Sequence, residues 1–332
     1  MEIYFPAYYE KFRCIAGACP DSCCKEWAVD VDDASAAFYR QLPGELGKRL
    51  QEVLIDTDDG TIMQIENGRC PMWQQDGLCR IQAELGHDAL CKTCREFPRL
   101  QHDYGNFMEL GLELSCPEAA RLILSGESKD IFVKNVPGGE QPEYDMQIMQ
   151  ILQESRQQAF KLLDSEQYDL PKKLAILLLY GHAVQGQIDG GKAPVFNADS
   201  CLATAQKCAA KGDMDSIYSF FRALEILTPQ WKKYLDSAPT LPVWSAQLTE
   251  LARYLIARYW LQTIADYDLV CRVKFVIVAC LLVSTLNGDP IQTAQLFSKE
   301  IENDPDNLEA IFSGAYNSTA LTDTNLLGLL LH

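Results

Sequence analysis

Cys14, Cys19, Cys23 and Cys24 place four thiols within eleven residues, in the segment RCIAGACPDSCC, and Cys70, Cys79, Cys91, Cys94 and Cys116 follow at wider spacing. Nine of the thirteen cysteines thus precede residue 117, and only Cys201, Cys208, Cys271 and Cys280 lie beyond it. Thiolates are soft ligands, so this density points to a metal or an iron–sulfur cluster. The other reading is a disulfide framework, which needs an oxidising compartment. The opening MEIYFPAYYEKFRC has no basic segment followed by an apolar core and a small-residue cleavage site, so export is not expected. A cytoplasmic chain keeps its thiols reduced, which favours metal or catalytic roles. Eight thiolates suffice for two four-coordinate zinc sites, for one [4Fe–4S] cluster with a zinc site, or for a cluster with redox thiols. Gly17, Pro20 and Asp21 favour turns, and a turning backbone lets several thiols converge. The adjacent Cys23 and Cys24 cannot meet at one point from a regular strand or helix, so they serve different sites or a bent loop.

The elements that must position these residues change character along the chain. Short segments broken by Gly and Pro precede a composition break at SGESKDIFVKNVPGGEQPEY. A cysteine-cluster domain is expected over 1–127, a linker over 128–142 and a helical domain over 143–332. The fold class is therefore mainly α, a cysteine-rich metal or iron–sulfur domain followed by an all-helical one. In the first part helices are predicted over Asp33–Leu54, capped by Asp32 or Asp33 and interrupted near Pro43-Gly44, and over Glu118–Leu124. Met146, Met149, Ile151, Leu152, Phe160 and Leu163 recur at three- and four-residue spacing, the pattern of an amphipathic helix. Further helices are predicted near Lys172–Val184, Ala198–Ala210, Asp215–Leu227, Trp244–Ile264, Val270–Leu286, Ile291–Glu302 and Asn307–Ala315. The longest apolar run, Phe275–Val283, has nine residues, against the roughly 20 that span a bilayer. It reads as part of a buried helix, and no membrane partner is expected. The net charge is −17 and no basic stripe is available to neutralise phosphates, which excludes nucleic acid as a partner. The acidic surface serves solubility or attracts a lysine-bearing protein.

The blocks CIAGACPDSCCKEWAVDVD, GRCPMW, LCRIQAELG and CREFPRL, followed by a later Cys-Pro, resemble the flagellin lysine N-methylases. These belong to a wider set of cysteine-cluster proteins described as zinc- or iron-chelating. The resemblance covers roughly residues 8–121. It implies metal ligands at Cys14, Cys19, Cys23, Cys24, Cys70, Cys79, Cys94 and Cys116, with Cys91 as an extra thiol. It also implies methyl transfer from S-adenosylmethionine to lysine amines of flagellin, with an oxygen-sensitive [4Fe–4S] cluster; zinc is the alternative metal. The opening spacing here, C-x4-C-x3-C-C, differs from the C-x3-C-x2-C of radical adenosylmethionine enzymes. A Gly-rich turn of the Rossmann type is also missing.

For polar methyl transfer the lysine must be neutral and in line with the sulfonium methyl, which asks for a base and for positioning. Asp21, Glu26, Asp30, Glu96, Tyr104 and Glu118 are candidates, each as readily a cap or surface group, so no catalytic residue is singled out. Arg95, Arg99 and Arg121 flank ligand cysteines and are candidates to bind the adenosylmethionine carboxylate; their other expected role is pairing with acids such as Glu96 and Glu118. His87 and His102 are secondary metal candidates. Cys91-x2-Cys94 lacks the strand–helix context of a thioredoxin-like redox pair, and Cys201, Cys208, Cys271 and Cys280 are read as buried small hydrophobes. The rival function is a non-catalytic zinc- or iron–sulfur-binding interaction or sensor protein.

Overall fold

The computed structural model describes residues 1–25, 28–126 and 129–332. Among them the chain is mainly helical, with 57% of residues in sixteen α-helices and four 3-10 turns. Side-chain caps set most helix starts. Asp32, Asp145, Asp169, Asp213, Asp268, Asp289 and Asp304 each accept a backbone N–H from the first turn that follows. A carboxylate there satisfies an orphan donor and faces the positive end of the helix dipole. The expected helix over 33–54 is observed as Asp33–Gln41 and Gly44–Val53, because Pro43 has no N–H to continue the first ladder.

The later periodic segments form Met146–Asp164, Leu170–Ile188, Ala198–Cys208, Met214–Arg222, Ala246–Tyr259, Leu269–Thr285, Pro290–Ile301 and Pro305–Asn317. The stretch expected as one helix from Trp244 to Ile264 passes into a 3-10 turn at Trp260–Ala265. Two helices of this later part were not anticipated, Pro229–Asp236 and Asp323–Leu331, nor were the short helices Ala7–Lys11, Arg80–Leu85 and Lys92–Glu96 of the first part. Asp323–Leu331 is apolar almost throughout and has little contrast between its faces for periodicity to detect. Every residue of Leu269–Thr285 is buried, as a helix apolar on all sides must be. Its two cations reach the rim of the core. Arg272 forks onto Asp266 with both contacts at 2.9 Å, and Lys274 Nζ donates to Ala315 O at 2.7 Å. No helix among the described residues is long and apolar enough to cross a membrane.

The first part also holds strands that the sequence patterns do not reveal. They are β1 (Glu2–Pro6), β2 (Val29–Val31), β3 (Leu54–Thr57), β4 (Gly60–Met63), β5 (Arg99–Asp103), β6 (Phe107–Leu112) and β7 (Ile131–Asn135). One sheet has the order β5-β6-β1-β7 and the other β2-β4-β3. In the larger sheet β1 runs parallel to β6 and antiparallel to β7. Strand β7 lies inside the stretch expected to be a linker, and all five of its residues are exposed. Glu127 and Ser128, at the expected linker boundary, fall outside the described residues. Tyr8, Phe12, Phe107, Leu112, Leu114 and Ile123 join the same hydrophobic core as the helices. Residues such as Val29, Tyr39, Leu50, Met63, Met72 and Cys91 form a second, smaller core.

A buried polar knot fastens the first part to the helices. Glu302, whose side chain is fully buried, lies 3.2 Å from Arg258 Nη1 and accepts the Tyr259 hydroxyl at 2.9 Å and the Tyr254 hydroxyl at 3.2 Å. Tyr254 Oη in turn accepts Arg258 Nη1–H at 2.7 Å and the Leu114 N–H at 3.3 Å. Removing one partner of such a pair leaves the other charge buried and uncompensated. Glu302→Gln is expected to cost about 3–5 kcal/mol, read as a lowered urea midpoint. A midpoint within error of the wild type would remove this pair from the account of stability.

Candidate metal centre

The cysteine-bearing loops are held against one another by backbone contacts. The Cys70 N–H donates to Cys24 O at 2.7 Å, next to a short bridge between Lys25 and Arg69. Gly77, at φ +82°, faces Gly17; a Cβ at Gly77 would stand 3.5 Å from Gly17 Cα, and one at Gly17 would stand 3.1 Å from Asp76 O. The opening loop and the turn before Cys79 therefore meet backbone to backbone, which leaves little room for side chains. Asp32 caps its own helix through Ser35 N–H at 3.0 Å and also accepts Lys92 N–H at 2.8 Å. It thus anchors the start of the short helix Lys92–Glu96, which carries Cys94. From the helical side, Lys299 Nζ reaches Asp21 at 3.1 Å and Gln295 donates to Ser115 O at 2.6 Å. These bonds seat the opening loop and the Cys116 segment on helix Pro290–Ile301.

All nine early cysteines fall into one interacting neighbourhood, and all thirteen are free thiols. The Cys23 and Cys24 thiols are hydrogen-bonded, as are Cys24 with Cys70 and Cys91 with Cys94. Charge–charge coupling extends from Cys19 to Cys14 and Cys23, and from Cys116 to Cys19 and Cys23. It also links Cys79 with Cys23 and Cys91, and Cys94 with Cys23 and Cys24. The consequence is divided: Cys19, Cys23, Cys24, Cys79, Cys94 and Cys116 are raised, whereas the bonds from Cys24 and Cys94 lower Cys70 and Cys91. The bond to Cys24, with burial added, pushes the Cys23 thiol well up. Cys24 is pulled down by Cys23, but Cys70 and burial carry it to about 12. Burial takes Cys116 to about 12. The bond from Cys94 holds Cys91 at about 7 against the opposing effect of burial, and the same bond drives Cys94 strongly upward.

Thiolates crowded in this way repel one another unless a cation lies among them, and a bound cation inverts that balance. Among the described residues, no three Cys, His, Asp or Glu side chains converge closely enough to hold a metal ion as they stand. The donor set, nine soft thiols of which Cys23, Cys24, Cys70, Cys91 and Cys94 are in thiol–thiol contact, fits zinc or an iron–sulfur cluster in its chemistry. Cys201, Cys208, Cys271 and Cys280 lie on the later helices; Cys271 and Cys280 are buried as expected, whereas Cys201 is half-buried and Cys208 exposed.

Comparison with known proteins adds a second line of argument. The chain is similar to the flagellar biosynthetic protein FliU of Salmonella muenchen, with 33% identity over 133 residues, covering 36% of this chain and 75% of FliU. The chain belongs to the flagellin lysine N-methylase family. Two other relatives, the lysine-N-methylases of Salmonella typhimurium and Salmonella choleraesuis, are each 33% identical over 127 residues. The match covers 36% of this chain and 32% of those two proteins, so it spans about a third of their length. No family profile matches the chain, and no solved structure matches it.

Within this family member, the residues singled out from sequence are placed as follows. Arg121 pairs with Glu118 through contacts of 2.8 and 2.6 Å. Arg95 donates to Leu90 O at 3.1 Å, and the Arg99 guanidinium lies over the rings of Phe12 and Tyr9. Asp21 is engaged by Lys25 and Lys299, Asp30 lies on β2, Glu96 ends the Cys94 helix, and Tyr104 stacks on Phe107 at 4.8 Å between centroids. Glu26 falls outside the described residues. His87 is exposed beside Asp88. His102 is on β5, and burial, aided by Arg258, holds its imidazole below the usual value. Cys91, set aside as an extra thiol, is nearly fully buried and bonded to Cys94. Its C-x2-C spacing was the available signal.

The double role of Asp32 makes it the test of how this region is held. The Lys92 N–H is the main reason its carboxyl is lowered to about 2. A depressed carboxyl stabilises the fold above its unfolded-state value of roughly 4, and that contribution is lost as pH falls through the folded value. Asp32→Asn is expected to cost about 1–2 kcal/mol near neutrality, as for a lost cap and charge-assisted bond. The gap from wild type should shrink as pH is lowered from about 5 toward 2. A pH-independent gap in urea midpoints would rule out ionised Asp32 as the anchor.

Proposed function

We propose that the chain works as an S-adenosylmethionine-dependent protein-lysine N-methyltransferase acting on flagellin. A [4Fe–4S] cluster is held by thiols drawn from Cys14, Cys19, Cys23, Cys24, Cys70, Cys79, Cys94 and Cys116, with Cys91 as a further available ligand. The observation that carries the reading is the 33% identity to two proteins named lysine-N-methylase. The relative named for flagellar biosynthesis supports a flagellar substrate, and the gathering of free thiols supports the metal. In this reading residues 1–127 form the cysteine-cluster part, 128–142 the connection and 143–332 the helical part.

Methyl transfer of this kind is a displacement. The lysine nitrogen forms a bond to the methyl carbon, the sulfonium C–S bond breaks with its electron pair left on sulfur, and the nitrogen gives up one proton. The protein must therefore hold donor and amine in line and keep the amine neutral, which is work of positioning and desolvation. The cluster, when bound, supplies a cationic centre that neutralises the crowded thiolates. The seats of the cysteine loops on Lys299, Gln295 and Asp32 fix where those thiolates stand. Arg95 and Arg121, each engaged by groups of its own segment, act in this picture as supports for the loops beside Cys94 and Cys116.

The test is anaerobic purification followed by iron, sulfide and zinc analysis, an absorption spectrum, and transfer of labelled methyl groups to flagellin. Brown protein that labels flagellin lysines is expected. Colourless protein containing only zinc and transferring no label would establish the rival reading, a metal-stabilised interaction protein. Cys23→Ala and Cys24→Ala are each expected to lower bound metal to less than about half, because each thiol contacts others of the set, whereas Cys271→Ala leaves it unchanged. Equal metal content in all three variants would show that the ligands lie elsewhere.

A further inference from the structure

The larger sheet ends at β7, and among the described residues no strand pairs with its outer side. The backbone bonds to β1 fix which groups face that side. Met1 and Val136 exchange two bonds of 3.0 Å, and the Ala7 N–H donates to Asp130 O at 2.9 Å. Bonded positions alternate along an antiparallel pair. Residues 130, 132, 134 and 136 therefore turn their N–H and C=O groups toward β1. Ile131, Val133 and Asn135 turn theirs to the open edge.

The side chains do not protect that edge. Ile131, Phe132 and Val133 are 53, 52 and 49% exposed. Free edges are commonly blunted with charge, and the opposite edge of this sheet, β5, follows that rule with Arg99, His102 and Asp103. Strand β7 carries only Lys134, after three consecutive large apolar residues. The apolar surface continues inward on the face that bears Phe132. There Phe132 stacks on Phe5 at 5.9 Å between centroids, and Phe5 meets Tyr9 at 6.1 Å.

The strand is also self-complementary. In a second copy laid antiparallel along the edge, with a two-fold axis at Val133, the two Val133 residues exchange both backbone bonds. Ile131 does the same with the partner's Asn135, so every outward group of β7 is satisfied. On the Phe132 face, Lys134 stands opposite the partner's Phe132 and lays its stem along the ring. The partner's Asp130 lies on one diagonal from Lys134, within reach of a long side chain, and offsets the partner's Lys134 on the other. The two Phe132 rings are diagonal neighbours as well, which joins the two Tyr9–Phe5–Phe132 rows into one. An axis at Asn135 would instead set Val133 against Pro137, which has no N–H to give. Asp130 and Lys134 cancel at the edge, so the −17 net charge of each copy opposes pairing only at long range, where salt screens it.

We infer that β7 is an interface for a second copy of this chain, paired strand to strand about a two-fold axis at Val133. One sheet then runs through both copies in the order β5-β6-β1-β7-β7-β1-β6-β5. Such an interface is isologous and closes on itself, so association stops at two. The contact is small, and a reversible dimer with a dissociation constant of about 1–50 µM is expected. The inference is independent of the methyltransferase reading.

The experiment is sedimentation equilibrium of the full chain, purified anaerobically, from about 1 to 200 µM. Wild type is expected to pass from monomer to dimer over that range. Val133→Pro removes an outward N–H and no bond to β1, a change an edge strand tolerates. It should weaken association at least about tenfold with an unchanged urea midpoint. Val133→Lys and Val133→Glu each place like charges face to face across the axis, and each alone should stay monomeric. Mixed in equal amounts these two should associate again, because opposite charges then meet. Wild type that is monomeric at the highest concentration would overturn the second copy as occupant and leave the edge to a strand of another protein. A dimer that survives all three substitutions, or a mixture that fails to associate, would overturn the axis at Val133. If Val133→Pro fails to fold, the Lys and Glu variants decide alone.

Discussion

A carboxylate buried without water must be neutralised where it stands, and Glu302 sets that demand at the meeting point of the molecule's parts. Its partners come from one helix, Ala246–Tyr259, which supplies Tyr254, Arg258 and Tyr259. Through Tyr254 the demand passes to the backbone of Leu114. Together with the Gln295 bond to Ser115 O, that N–H holds the turn leading to Cys116 and the helix Pro117–Ile123. The sheet, the helical core and the cysteine segment therefore share one polar centre. A purely apolar contact of the same size would tolerate sliding; a buried ion pair with four hydrogen-bonding groups does not. The neighbouring Glu113 feels the same scarcity of water, since burial raises its carboxyl while Arg258 opposes the rise.

The acidity of the chain takes on a specific meaning in this light. Seven aspartates are spent at helix N-termini, where each replaces a missing intrahelical acceptor and meets the helix dipole. Part of the −17 net charge is thus structural. Inside, charges of both signs are paired: Arg253, Arg272, Lys274 and Lys299 are nearly buried, and so are Glu250, Glu300 and Glu302.

The helices were legible because their information is local. A cap such as Asp145, a run of apolar residues three and four apart, and a stop can be read within twenty residues, as in Met146–Asp164. The strands were not, since β1 pairs with β6 and β7, with Glu2 opposite both Phe107 and Asn135. No periodicity within EIYFP announces partners so distant. Cysteine type and spacing singled out the thiols of the first part; Cys23 and Cys24 each bond the other, and Cys24 also bonds Cys70. The pairing of Cys91 with Cys94 was visible as a spacing and was set aside for want of a familiar context. The ion pairs Arg156–Glu109 and Arg253–Asp164 were illegible, because their residues carry no shared motif and come from a strand and two helices.

The parallel pairing of β1 with β6 has a consequence for the life of the chain before it is complete. Residues 2–6 leave the ribosome well before the strands that flank them, at 107–112 and 131–135. Until then β1 has both edges open, and the thiols of the opening loop have been made without the Cys70, Cys79, Cys94 and Cys116 segments that later surround them. Long-range closure of this sort is slow compared with helix formation, and unpaired strand edges are exposed to other chains while it waits. Synthesis of this protein therefore includes an interval in which the opening thiols stand outside the fold that later gathers them.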